Sequence, residues 1–190
     1  MTQVKPMRAD ARRNYERLLK AAVEAFAAHG EGASLDDIAK RAGVGSGTLY
    51  RHFPTRQALL EAAYLDRIEA LALRAHEIAR ERPPGRALGE WLGELGLGLI
   101  QVRGLKSLLG TAVTGDGSAV ATACGTRLTA AAERLVRAAQ AEGTLRQDVE
   151  PVEILRLTHG LATASELAGG GRPDVRRYLT LLTEGLRPGR

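Results

Sequence analysis

Apolar residues return every three or four positions along most of this chain, and the breaks between runs fall at glycine and proline. From Asp10 to Ala28, the residues Tyr15, Leu18, Leu19, Ala22, Val23 and Phe26 keep helical spacing, leaving Arg13, Arg17, Lys20 and Glu24 for the other side. His29-Gly30 closes this helix, because glycine tolerates the left-handed turn after the last carbonyls. Ser34 is suited to cap a short second helix, with Asp36 and Asp37 in the first turn, where the helix dipole favours anions. Leu35, Ile38, Ala39 and Ala42 form its apolar stripe. Gly43 breaks it. A third helix is expected from Gly45 or Ser46 and must end before Pro54, since proline disfavours helical geometry in the residue ahead of it. Thr55 can cap a long fourth helix whose apolar positions, Leu60, Tyr64, Ile68, Leu71, Ala75 and Ile78, continue toward Pro83-Pro84-Gly85. Beyond that boundary the pattern predicts helices at about 86–102, 104–113, 118–142, 151–168 and 174–186, with Pro151 tolerated in a first turn. No segment alternates as a strand does. The expected fold class is all-α, with about nine helices.

Composition agrees with that reading and narrows the chemistry. Of 190 residues 44% are apolar, enough for a core, and only 4% are aromatic. The apolar content is mostly Ala and Leu, which favour helices over sheets. One cysteine, Cys124, excludes an internal disulfide and a cysteine zinc site. No apolar run reaches the roughly 18 residues that span a bilayer, and Met1–Asp10 lacks the apolar stretch of a secretory signal. A cytoplasmic protein with no membrane partner is expected. His76 and His159 have no neighbour at metal-ligand spacing, so neither a metal nor a cofactor is expected. GELGLGLIQ superficially resembles a glycine-rich phosphate loop, but no strand precedes it and the lysine of such a loop is missing. With no H-E-x-x-H, serine elbow or carboxylate–histidine cluster, an enzyme is not expected. The net charge of +5 permits a polyanionic partner, and Lys5, Arg8, Arg12, Arg13, Arg17 and Lys20 crowd the first segment, although a solvated helix face would look the same.

Residues 34–53, SLDDIAKRAGVGSGTLYRHF, carry the most informative pattern. Two short helices joined at Gly43 fit a helix-turn-helix, whose second helix lies in the DNA major groove. Ala39 is small where the helices approach, and Val44 and Leu49 fill the space between them. Gly45, Ser46, Thr48, Tyr50, Arg51 and His52 remain outward, a surface without a carboxylate. On pattern alone, a helical corner in an unrelated bundle fits equally well.

The stretch from LLKAAVEAFAAHG through IAKRAGVGSGTLYRHFPTRQALLEA resembles the N-terminal domain of the TetR/AcrR transcriptional regulators. Gly47-Thr48-Leu49-Tyr50, followed by His52-Phe53 and a proline turn into a long helix, is specific to that family. The match covers about residues 12–65. It implies a DNA-binding domain over 1–54 and a ligand-binding and dimerisation domain over 55–190. It implies that Tyr50 and His52 bond backbone phosphates and that Thr48 touches a phosphate or a base edge. Ser34, at a helix N-terminus, and Arg56, after the turn, would hold further phosphates. Gly45 and Ser46 stand where many members carry Ser-Lys, so base reading would lean on Ser46, Thr48 and on Lys40 or Arg41, and partly on DNA shape.

The same resemblance implies a homodimer on a double-stranded DNA operator, joined through the last two helices. Leu155, Gly160, Leu161 and Ala164 of one, and Tyr178, Leu179, Leu182 and Leu186 of the other, are the residues expected to meet. The alternative is that both stripes are internal core. It also implies a small-molecule effector, unidentified by the sequence, and repression as the mode of regulation. Trp91 either lines the effector pocket or packs in the core. Gly89, Gly93, Gly96 and Gly98 leave room for close packing or for a cavity.

Overall fold

The computed structural model describes residues 5–114 and 123–189, and among them nine α-helices and no strand. The chain divides into two compact units, Met1–Leu65 and Asp66–Arg190. The first holds α1 (Lys5–His29), a single 3-10 turn (Gly30–Gly32), α2 (Leu35–Arg41), α3 (Ser46–His52) and the beginning of α4 (Arg56–Glu81). The second holds the rest of α4 with α5 (Pro84–Gln101), α6 (Arg103–Thr114), α7 (Ala123–Ala141), α8 (Pro151–Leu167) and α9 (Arg172–Gly185). The expected start of a helix at 118 lies outside the described residues.

In the first unit, Leu18, Ala22 and Phe26 of α1 are buried with Ile38 and Ala39 of α2 and Leu49 of α3. Tyr15 and Val23, which share the same apolar spacing, are instead exposed. α1 also begins earlier than the apolar pattern does, at Lys5 rather than Asp10. The divide falls inside α4 because the first turns of that helix belong to the first unit. There Leu59 is buried, and Arg56 donates to the carbonyls of Ala33 at 2.5 Å and Gly30 at 3.1 Å.

In the second unit α5 is the central element, packed against α6, α7, α8 and α9. A buried face runs along it: Ala87, Leu88, Trp91, Leu92, Leu95 and Leu99 are interior. Gly96 is required by a close approach, since a methyl there would come within 2.7 Å of Leu179 Cδ1 and 3.0 Å of Val175 Cγ1 on α9. Trp91 is fully enclosed and its indole N–H donates to the carbonyl of Leu71 at 2.9 Å. In this structure it packs in the core.

α4 and α5 are tied on their outer sides by Arg74 with Glu94, at 3.0 Å, and Arg82 with Glu90, at 2.9 Å. Such exposed pairs add little to stability, because solvent and salt screen them. Gln140 is the buried polar residue that organises a loop, donating from Nε2 to the carbonyls of Arg146, Gln147 and Val149. Among the described residues, no helix is long and apolar enough to cross a membrane.

The last two helices correct the sequence reading of their faces. Leu155 and Leu179 are buried within the unit, against expectation. The other residues of the two expected stripes, Gly160, Leu161 and Ala164 on α8 and Tyr178, Leu182 and Leu186 at α9, are exposed or half-buried, and Leu157 and Leu181 stand exposed beside them. Leu157 is 43% exposed, Leu167 85% and Leu181 48%, a large apolar surface for solvated helices.

Candidate nucleic-acid interface

The turn between α2 and α3 sets the site. Ser34 caps α2, its Oγ accepting from the Asp37 amide at 3.3 Å. At the other end the helix stops because Gly43 adopts φ +65°, which side-chain-bearing residues adopt only at a cost, and the Val44 amide then donates to Ala39 O at 3.0 Å. Arg17 of α1 lies over this turn, and a methyl at Gly43 would sit 2.2 Å from its terminal nitrogen. α3 follows with Gly45 as an extended N-cap, φ −76° and ψ 152°, which no side chain assists.

α3 buries one residue, Leu49. Everything else on it faces outward or sits half-buried: Ser46, Gly47, Tyr50 and Arg51 are exposed, Thr48 and His52 intermediate. Tyr50 is 47% exposed, an unusual position for a phenol with no partner element over it. His52 is held at the edge of an aromatic group, 5.9 Å and 66° from the Tyr15 ring, which lies 5.1 Å from Phe53. That contact explains why Tyr15 stays at the surface, and the sequence pattern, which assigned Tyr15 to the core stripe, did not reveal it. Arg51 puts a positive group in the last turn of α3, where the helix dipole favours it.

Two contacts have no counterpart in the sequence reading. The terminal nitrogens of Arg56 donate to the Ala33 and Gly30 carbonyls, and its guanidinium lies 5.2 Å over the Phe26 ring. It braces the loop between α1 and α2. The surface also includes a carboxylate after all: Ser46 Oγ donates to Asp36 Oδ1 at 2.7 Å, bridging α3 to the first turn of α2. Of the other expected residues, Ser34 caps α2, Gly45 caps α3, and Ser46, Thr48, Tyr50 and His52 lie on α3, whereas Trp91 lies in the second unit. Basic residues of α1 are partly neutralised, with Arg12 on Glu16 at 2.9 Å and Arg13 on Asp10.

Comparison with known proteins bears on both units. Residues 18–63 match the model of the bacterial regulatory proteins of the tetR family, and residues 83–188 that of the C-terminal domain of SbtR-like transcriptional regulators. A TetR transcriptional regulator of known structure from Streptomyces coelicolor is 33% identical, with a TM-score of 0.54, over 93% of this chain and 99% of that one. The regulator FadR from Bacillus subtilis, in complex with stearoyl-CoA, shares the fold at 17% identity, with a TM-score of 0.67, over 93% of this chain and 99% of that one. The uncharacterised HTH-type transcriptional regulator TtgW of Pseudomonas putida is 39% identical over 66 residues, 34% of this chain, and the match spans about half of that protein, 49%. With matched models covering both units and a similar regulator aligned along nearly its whole length, the chain belongs to the TetR family of bacterial transcriptional regulators.

Proposed function

We propose that this regulator binds double-stranded DNA as a homodimer, represses from its operator, and leaves it when a small-molecule effector binds. The observation that carries this reading is the outward face of α3, where small polar side chains and the phenol of Tyr50 stand uncovered. A helix with one buried residue and no carboxylate of its own suits a groove lined by phosphate. Tyr50 and His52 then bond backbone phosphates, Thr48 a phosphate or a base edge, and Ser34 a phosphate through its exposed hydroxyl. Gly45 lets the backbone approach closely. Arg56 holds a further phosphate beside the loop that it braces.

One recognition helix reads only a few base pairs, so a second copy is needed. The exposed apolar stripes of α8 and α9 are suited to meet the same stripes of another chain about a two-fold axis, with the two recognition helices about 34 Å apart, one turn of DNA. Such a dimer blocks polymerase without further machinery, which favours repression, and its place is the cytoplasm, with the DNA. A helical fold of this kind holds stearoyl-CoA in the Bacillus subtilis regulator, so the fold has room for a small molecule. Release follows if the effector prefers a spacing of recognition helices that the operator does not fit.

The test is a titration of a selected operator with Tyr50→Ala and His52→Ala proteins. Each is expected to bind at least about tenfold more weakly, with helicity and dimer mass unchanged, because each removes a hydrogen bond to a charged group. Binding equal to that of the unaltered protein contradicts the reading.

A further inference from the structure

The start of α3 carries a pair of side chains whose joint chemistry is more specific than that of either alone. Ser46 Oγ donates to Asp36 Oδ1 at 2.7 Å, and both side chains are exposed. A serine hydroxyl has one proton, so once that proton points at Asp36 its oxygen is left to accept. An ionised carboxylate is acceptor-only as well. The pair therefore presents acceptors and no donor: the lone pairs of Ser46 Oγ and the second carboxylate oxygen of Asp36. The space around it is open, for a methyl built at Gly45 or Gly47 would meet nothing within 4 Å.

We propose that Asp36 and Ser46 together read the exocyclic amine of a cytosine, which makes Asp36 a specificity-determining residue in each half-site. This rests on the reading that α3 enters the major groove. There, cytosine shows the N4 donor and no acceptor. Guanine shows the N7 and O6 acceptors and thymine the O4 acceptor, all of which a carboxylate repels. Adenine offers the N6 donor beside the N7 acceptor, so it satisfies one oxygen of the pair while facing another with a lone pair. The order at that position is cytosine, then adenine, with guanine and thymine last. The same carboxylate opposes phosphate wherever the amine is absent, so discrimination comes from repulsion as well as attraction.

The experiment selects duplexes from a randomised library with the full-length protein and with Asp36→Ala, Asp36→Asn and Ser46→Ala. The dissociation constant of the best duplex and of each single-base change is then measured. The unaltered protein should select cytosine at one position of each half-site and lose about tenfold or more in affinity when guanine or thymine replaces it. Asp36→Ala should flatten the preference at that position alone and bind random-sequence duplex more tightly than the unaltered protein. Asp36→Asn, which keeps a polar side chain in the first turn of α2 but adds a donor, should melt at nearly the same temperature and tolerate guanine there. Selection of an operator whose single-base penalties are the same with and without the Asp36 carboxylate overturns the proposal and leaves the groove reading intact. Selection of no sequence by any of the four proteins at low salt overturns both.

Discussion

α3 and the α8–α9 pair are both helical surfaces, and they differ in what they leave uncovered. α3 buries Leu49 and exposes glycine, hydroxyls, a phenol and a guanidinium. α8 and α9 bury one apolar stripe each and expose another, led by Leu157, Leu167 and Leu181. The first kind of surface suits hydrogen bonding to a polyelectrolyte, where affinity falls steeply with salt as counterions are released. The second suits association by excluding water, which salt does not weaken. One chain thus offers two surfaces that respond oppositely to ionic strength.

The largest effect expected from breaking this contrast comes at the apolar face. Leu157→Glu with Leu181→Glu places charges on that face without touching α3. Sedimentation should then show single chains, and operator affinity should fall by about a hundredfold or more, since the second half-site no longer binds as part of the same molecule. Dimers persisting with both charges present would mean that another surface joins the copies.

Next in size is Trp91→Ala, which leaves a cavity beside α5 and removes the indole bond to the Leu71 carbonyl. It should destabilise the second unit by about 3–5 kcal/mol, read by chemical denaturation. If the two units unfold separately, the exchange protection of amides in α1 to α3 should survive. The smallest is Gly43→Ala, which forces a side chain into φ +65° against Arg17, and about 1–2 kcal/mol should be lost from the first unit alone. A loss shared equally by both units would deny that the contrast between them is energetic as well as chemical.

The contrast was only partly legible in the sequence. Local chemistry gave the Ser34 cap, the Gly43 turn and the stop before Pro54, because each depends on one residue type in one backbone conformation. The outward face of α3 followed, since a seven-residue helix with Leu49 inside leaves few choices. The two carbonyl bonds of Arg56 did not, because the loop from Gly30 to Ala33 that supplies them follows no periodicity. The Asp36–Ser46 bond joins residues ten apart across a turn and left no signal of its own. α8 shows the clearest limit of the pattern. It is apolar on two sides, and spacing alone does not say which side meets α5, so Leu155 was assigned outward and proved interior. Gln140 was missed for a related reason: burial of an amide is legible only once the carbonyls it serves have been placed.

The most direct test of the account is a hydroxyl-radical footprint of the full-length protein on an operator selected from random duplexes. The expected result is two protected blocks on one face of the DNA, related by symmetry, with centres about one helical turn apart. Both should vanish together as salt rises, while the dimer stays intact. A single block, or protection that outlasts high salt, would contradict the claim that two copies of α3, held by an apolar interface, read the groove.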